Sequence, residues 1–237
     1  MPAESIPTRA LVSRCCLLVV GLIGTTVVLS GVGHCVVHSH AITTFDRHVT
    51  NWVIGHRSPM LNTMMKALTW IGSWVAAAVT GGVVLVLTLT KRLANAALLV
   101  LAIAWAGEVS MVNIVKYTVD RPRPPRVLWL VNVHGASFPS GHAANATLVC
   151  TAATVVVFLV CRRRWIRTTT VVVSGVAIVT VGFSRVELGV HWTTDVLAGS
   201  LATLMWLAAV AGLIARSVPL VVPRSAGDRS GSERATD

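Results

Sequence analysis

The sequence predicts an all-α bundle that crosses a membrane six times, with both termini on the cytoplasmic side. Three observations point there. Apolar residues make up 54% of the 237 positions and charged residues only 12%, about half the charged share of a soluble domain. The mean hydropathy is +0.73. The basic residues behind the net charge of +11 sit in short clusters between apolar runs and form no long basic face. That placement fits membrane topology and not a nucleic-acid partner.

A spanning helix needs about 20 mostly apolar residues, and six runs approach that length: residues 15–32, 70–89, 95–115, 144–160, 169–183 and 196–215. The first, preceded by Arg9 and Arg14, also has the outline of a cleaved signal. It is too long for a usual signal core and no Ala-x-Ala site follows, so a retained helix is expected. Residues 34–68 are too polar to cross again. Phe45, Val49, Trp52 and Val53 recur at helical spacing, which fits either an interfacial amphipathic helix or a packed loop. The fifth run is the shortest. The predicted organisation is a cytoplasmic N-terminus (1–10), a membrane domain (11–215) and a cytoplasmic, disordered tail (216–237). With the N-terminus inside, inner segments carry twelve Lys and Arg against eight outside, which sets the orientation. The five cysteines show no Cys-x-x-Cys spacing and no chemistry is assigned to them.

Three polar clusters interrupt this apolar chain, all at outer span ends. They are Lys116 to Pro124, Pro139-Ser140-Gly141-His142, and Ser184 to Asp195. Ionisable groups near a membrane are costly, so their convergence at one depth marks a site. Lys116, Arg123 and Arg185 offer fixed positive charge and N–H donors suited to phosphate oxygens. Ser140 is a natural N-cap, and Gly141 behind it lets an anion approach the first helical amides. His191 and Asp195, four apart, share a helical face, so the carboxylate can fix the imidazole tautomer for attack. His142, from another helix, can protonate a leaving oxygen. A metal set of His142, His191 and Asp195 is the weaker alternative, since neither His-Glu-x-x-His nor a nearby cysteine is present. No metal or cofactor is expected.

Lys-x6-Arg-Pro, Pro-Ser-Gly-His and Ser-Arg-x5-His-x3-Asp, in this order, resemble the three signature motifs of the type 2 phosphatidic acid phosphatase (PAP2) superfamily. All eleven specified residues are present. The resemblance implies a helical core shared with vanadium haloperoxidases and metal-independent lipid phosphatase activity. It implies His191 as nucleophile backed by Asp195, His142 as general acid, and Lys116, Arg123, Ser140, Gly141 and Arg185 as phosphate ligands. It selects Arg123 over the neighbouring Arg121. The partner is then a lipid phosphate reached laterally from the bilayer, with the active site extracytoplasmic. A polyprenyl diphosphate is favoured slightly over phosphatidate or phosphatidylglycerol phosphate. A lipid phosphotransferase remains open. A transporter is disfavoured because the polar clusters lie at span ends and not mid-membrane, and an inactive scaffold because no motif residue is missing. Glu108 is expected to be structural. Trp70, Trp74, Trp129 and Trp192 are expected to be interfacial anchors.

Overall fold

A computed structural model describes residues 8–214, and all regular structure among them is helical. The helices are α1 (Thr8–His38), α2 (His40–Gly55), α3 (Pro59–Leu68), α4 (Trp74–Leu89), α5 (Asn95–Val119), α6 (Gly141–Val160), α7 (Arg164–Glu187) and α8 (Thr193–Ile214), with short 3-10 turns at Thr69–Gly72 and Arg126–Leu128. Five helices are long and apolar enough to cross a bilayer. The pair Pro59–Gly72 and Trp74–Leu89, bent by 46° at its break, makes a sixth if it is counted as one broken span. The expected termini lie outside the described residues, except that 8–10 belong to α1.

The break at Ser73 was not expected, because hydropathy runs unbroken through residues 70–89. Its freed carbonyls still need donors at membrane depth. Asn145, buried on α6, supplies them: its Nδ2 donates to Gly72 O (3.2 Å) and Ser73 O (2.7 Å). The fifth run is also longer than it looked, since α7 continues from Arg164 to Glu187 and carries the third polar cluster on its end.

α6 is the central post, packed on α7, α8, α4 and α5, while α1 closes against α5 and α8. Lipid tails are as apolar as leucine, so fit and internal hydrogen bonds hold these helices more than water exclusion does. The buried seams accordingly hold small residues such as Ala104, Gly107, Ala143, Ala144, Ala146 and Ala202. Gly107 leaves room for the Trp206 ring, whose Nε1 donates to Ala104 O at 2.9 Å. Threonine hydroxyls turn back on their own helices, as Thr88 does to Val84 O and Thr147 to Ala143 O, both at 2.8 Å.

Of the two readings left open for this segment, α2 is the helix, and its stripe is split between the bundle and the outside. Asp46, Thr50 and Val53 are buried against the bundle, whereas Phe45 and Trp52 are exposed. In lipid this is the stable choice, since the apolar side can face tails while the acid finds partners inside. The tryptophans also divide. Trp70 and Trp74 are exposed as anchors would be. Trp129 and Trp192 instead pin the proline loop, donating to Pro124 O (2.8 Å) and Pro122 O (2.9 Å).

Candidate active site

The three motif segments meet at one end of the bundle, and the chain punctuates each of them. α5 ends at Asp120, which adopts a left-handed conformation (φ 43°) that Asp tolerates better than most residues. The turn sends Arg121 inwards and opens the loop that carries Arg123. Ser140 caps α6, its hydroxyl accepting from Ala143 N at 3.4 Å, as its position in the sequence predicts. Beyond α7, Gly189 (φ +74°) reverses the chain and delivers His191. His191 precedes α8, so it meets Asp195 across the helix entrance and not along a helical face. Asp195 Oδ2 accepts from Trp192 N at 2.8 Å, the reach-back half of a capping box.

His191 is 2% exposed. Arg123 Nη1 lies 3.1 Å from its Nε2. A guanidinium only donates, so Nε2 is the acceptor and the ring proton sits on Nδ1. Nδ1 faces Asp195 Oδ2 at 3.5 Å, an ion-pair separation longer than a good hydrogen bond. Burial draws the imidazole down to about 3, against the opposing pull of Asp195. The ring is therefore neutral at physiological pH, with a lone pair on Nε2.

Arg123 is half-buried, held by the carbonyls of Gly135 (2.8 Å), His134 (3.1 Å), Ala136 (3.1 Å) and Val190 (2.7 Å). Burial lowers its basicity and Asp195 restores part of it. Lys116 shares the Ala136 carbonyl, its Nζ donating at 2.7 Å, which sets its charge beside that of Arg123. Arg185 is buried, with Nη1 donating to Thr69 Oγ1 at 3.0 Å. Among the described residues its Nε is buried without a partner, a donor left for an anion. His142 lies on the first turn of α6, directly behind the Ser140 cap. Ser140 joins through its backbone, N–H to Asp195 O at 3.0 Å. Gly141 begins α6, where helical amides lack intrahelical acceptors. Among the described residues no three of His, Cys, Asp and Glu cluster with metal-ligand geometry, so His142 does not complete a set with His191 and Asp195.

Four residues with short contacts at the site were missed in the sequence or given no role. Arg121, treated only as a rival of Arg123, is buried between two carboxylates: Nη1 to Asp195 Oδ1 at 2.6 Å and Nη2 to Asp46 Oδ2 at 2.8 Å. Ser137 Oγ donates to Asp195 Oδ2 at 2.5 Å. Thr194 donates to Asp46 through N (3.0 Å) and Oγ1 (2.6 Å). Asp46 was the readable one, as the lone acid of α2. Glu108 is buried in mid-α5, away from these contacts.

A neutral histidine whose Nε2 lone pair meets Arg123, with a carboxylate behind it and the charges of Lys116 and Arg185 at the same end of the bundle, is an arrangement suited to phosphoryl transfer. The PAP2 superfamily profile matches residues 93–218; the chain belongs to that superfamily and is a multi-pass membrane lipid phosphatase. It is 29% identical over 170 residues to phosphatidylglycerophosphatase B of Bacillus subtilis (strain 168), covering 69% of this chain and 80% of that protein. Its fold is similar to the crystal structure of the transmembrane PAP2-type phosphatidylglycerolphosphate phosphatase from Bacillus subtilis (TM-score 0.70, 26% identity, 84% of this chain and 96% of the other). Aquifex aeolicus LpxE shares the fold at TM-score 0.55 and 20% identity, over 69% of this chain and 93% of its own.

Proposed function

We propose that this phosphatase hydrolyses the terminal phosphate monoester of phosphatidylglycerol phosphate at the extracytoplasmic face, with residues 1–10 and 216–237 in the cytoplasm. The observation that carries the chemistry is Arg123 against His191 Nε2, which marks where a phosphoryl group would sit. The relatives support the lipid, moving it from the polyprenyl diphosphate favoured in the sequence to phosphatidylglycerol phosphate. The excess of Lys and Arg on one side supports the orientation.

The phosphate enters against Lys116, Arg123, Arg185, the Ser140 cap and the Gly141 amide, and takes over the Arg123 donors. Nε2 of His191 attacks phosphorus while the bond to the lipid oxygen breaks, and His142 gives that oxygen its proton. The new imidazolium charge is met by Asp195. Water, losing a proton to His142, then attacks the phosphohistidine; the P–N bond breaks and phosphate leaves. Charge on the equatorial oxygens is met by the three cations, so no step requires a metal.

The test is phosphate release by detergent-purified protein in excess EDTA. Phosphatidylglycerol phosphate, phosphatidate and a polyprenyl diphosphate are offered side by side, with His191→Ala as control. Fastest release from phosphatidylglycerol phosphate, surviving EDTA and needing His191, is the expected result. A preference for another lipid overturns the substrate; loss in EDTA overturns the mechanism. Release that appears only with an added alcohol acceptor would make the enzyme a phosphotransferase. Vanadate, which imitates five-coordinate phosphorus, should inhibit, and indifference to it would count against the phosphohistidine.

A further inference from the structure

We propose that Asp46 is a positioning residue for the nucleophile, acting through Arg121 and Thr194. The inference rests on the reading of His191 and Asp195 above. Asp46 belongs to α2, outside the residues the superfamily profile matches, and it touches neither His191 nor any phosphate ligand. It is nevertheless 1% exposed, and its bonds lead to the site. Oδ2 receives Arg121 Nη2 at 2.8 Å and Thr194 Oγ1 at 2.6 Å, while Oδ1 receives Thr194 N at 3.0 Å. Arg121 continues the chain, giving Nη1 to Asp195 Oδ1 at 2.6 Å and to Thr194 Oγ1 at 2.8 Å.

The charge count explains why a second acid is there. Asp195 paired with Arg121 alone would form a neutral couple, leaving little field for the imidazole it backs. Asp46 occupies the other side of the same guanidinium, so two carboxylates face one cation. One negative charge stays beside His191 for the moment the ring becomes positive. The geometry agrees: Arg121 and Ser137 fix Oδ1 and Oδ2 of Asp195 from opposite sides, which aims the carboxylate at Nδ1. Asp46 also satisfies an orphan amide at the entrance of α8, the helix bearing Asp195. A purely structural cap would do only that last part.

The experiment uses full-length protein in detergent with phosphatidylglycerol phosphate, comparing wild type, Asp46→Asn, Arg121→Ala and the double variant. Asn keeps one oxygen for the Thr194 amide, removes the charge and replaces the oxygen that faces Arg121 with a donor. In the wild-type background Asp46→Asn should lower kcat about tenfold or more with KM within about twofold, a loss confined to the transition state. In the Arg121→Ala background no cation remains to be neutralised, so the same change should cost less than about twofold. Unchanged kcat in Asp46→Asn, or an equal loss in both backgrounds, overturns the proposal. Should Asp46→Asn not fold, Thr194→Val removes one hydroxyl of the network at nearly constant shape. It should reduce kcat several-fold at constant KM, and a wild-type kcat overturns the proposal. If wild-type protein leaves every lipid phosphate intact, the proposed function fails by itself. The positioning role is then read by hydrogen exchange at the Trp192 amide, which bonds Asp195 and not Asp46. Asp46→Asn should speed exchange there, and an unchanged rate overturns the inference.

Discussion

At the site end of the bundle Asp46, Arg121, Ser137, His191 and Asp195 are all buried and joined by contacts of 2.5 to 3.5 Å. At the far end α4, α5, α6 and α8 line a half-open apolar pocket of about 310 Å³, walled by residues such as Val84, Leu93, Ala97, Leu148, Val156 and Leu207. The first region is over-determined by direction and charge; the second is held by shape and left loosely filled. The contrast teaches where each kind of damage should appear. Removing a polar partner at the site end misplaces or uncovers a charge, and activity suffers. Trimming a side chain at the far end enlarges a space that already exists, and only stability suffers.

The sharpest way to break that division is His191→Ala. Turnover should fall by at least about 10⁴-fold with thermal unfolding little changed; residual wild-type rates would remove the nucleophile. Next comes Arg123→Ala, which should lower kcat by about 10²–10³-fold, the usual loss for one donor to the transition-state oxygens. Arg121→Ala, two residues away, should cost less activity but more stability, since it leaves two buried carboxylates uncompensated. Equal profiles for the two arginines, in kcat and in unfolding temperature, would erase the distinction between ligand and scaffold. At the far end Leu93→Ala should destabilise by about 2 kcal/mol, the low side for a leucine truncation, and leave kcat within about twofold. A large kcat loss there would couple the two ends. The smallest effect is on pH. The His191 imidazole is drawn from 6.5 to about 3 by burial, so its protonation should not limit kcat/KM until well below pH 6. Folding carries the matching sign: below about 6.5 the unfolded chain binds a proton that the folded one refuses, so stability falls as pH falls towards 3. An acid limb near 6.5 assignable to His191 would contradict its burial.

Much of this was legible in the sequence, for identifiable reasons. Spans follow from composition, because the bilayer admits nothing else of that length and polarity. Candidate phosphate ligands stand out because charge is rare in such a chain, so every Lys or Arg at a span end demands a reason. What escaped is pairing. Asp46 lies 75 residues from Arg121 and 148 from Thr194, and no local pattern links them. The α2 stripe left helix and loop open because spacing alone does not say which side lies against the bundle; Val53 and Asp46 turn inward while Phe45 and Trp52 stay outside. Ser73 escaped because the break is decided by Asn145, on a helix far along the chain.

Gly199 of α8 lies so close to the Ser140 carbonyl that an added Cβ would stand 2.6 Å from it. The helix bearing Asp195 and the cap that starts the His142 helix therefore meet backbone to backbone, with no side chain between them to act as a bearing. Such a seam resists sliding, which would hold His142 and His191, the proposed acid–base group and nucleophile, at a fixed spacing. In the proposed reaction, the motion that admits the lipid phosphate and releases the dephosphorylated lipid falls to the helices outside that seam, and a glycine packed on the Ser140 backbone sets that division.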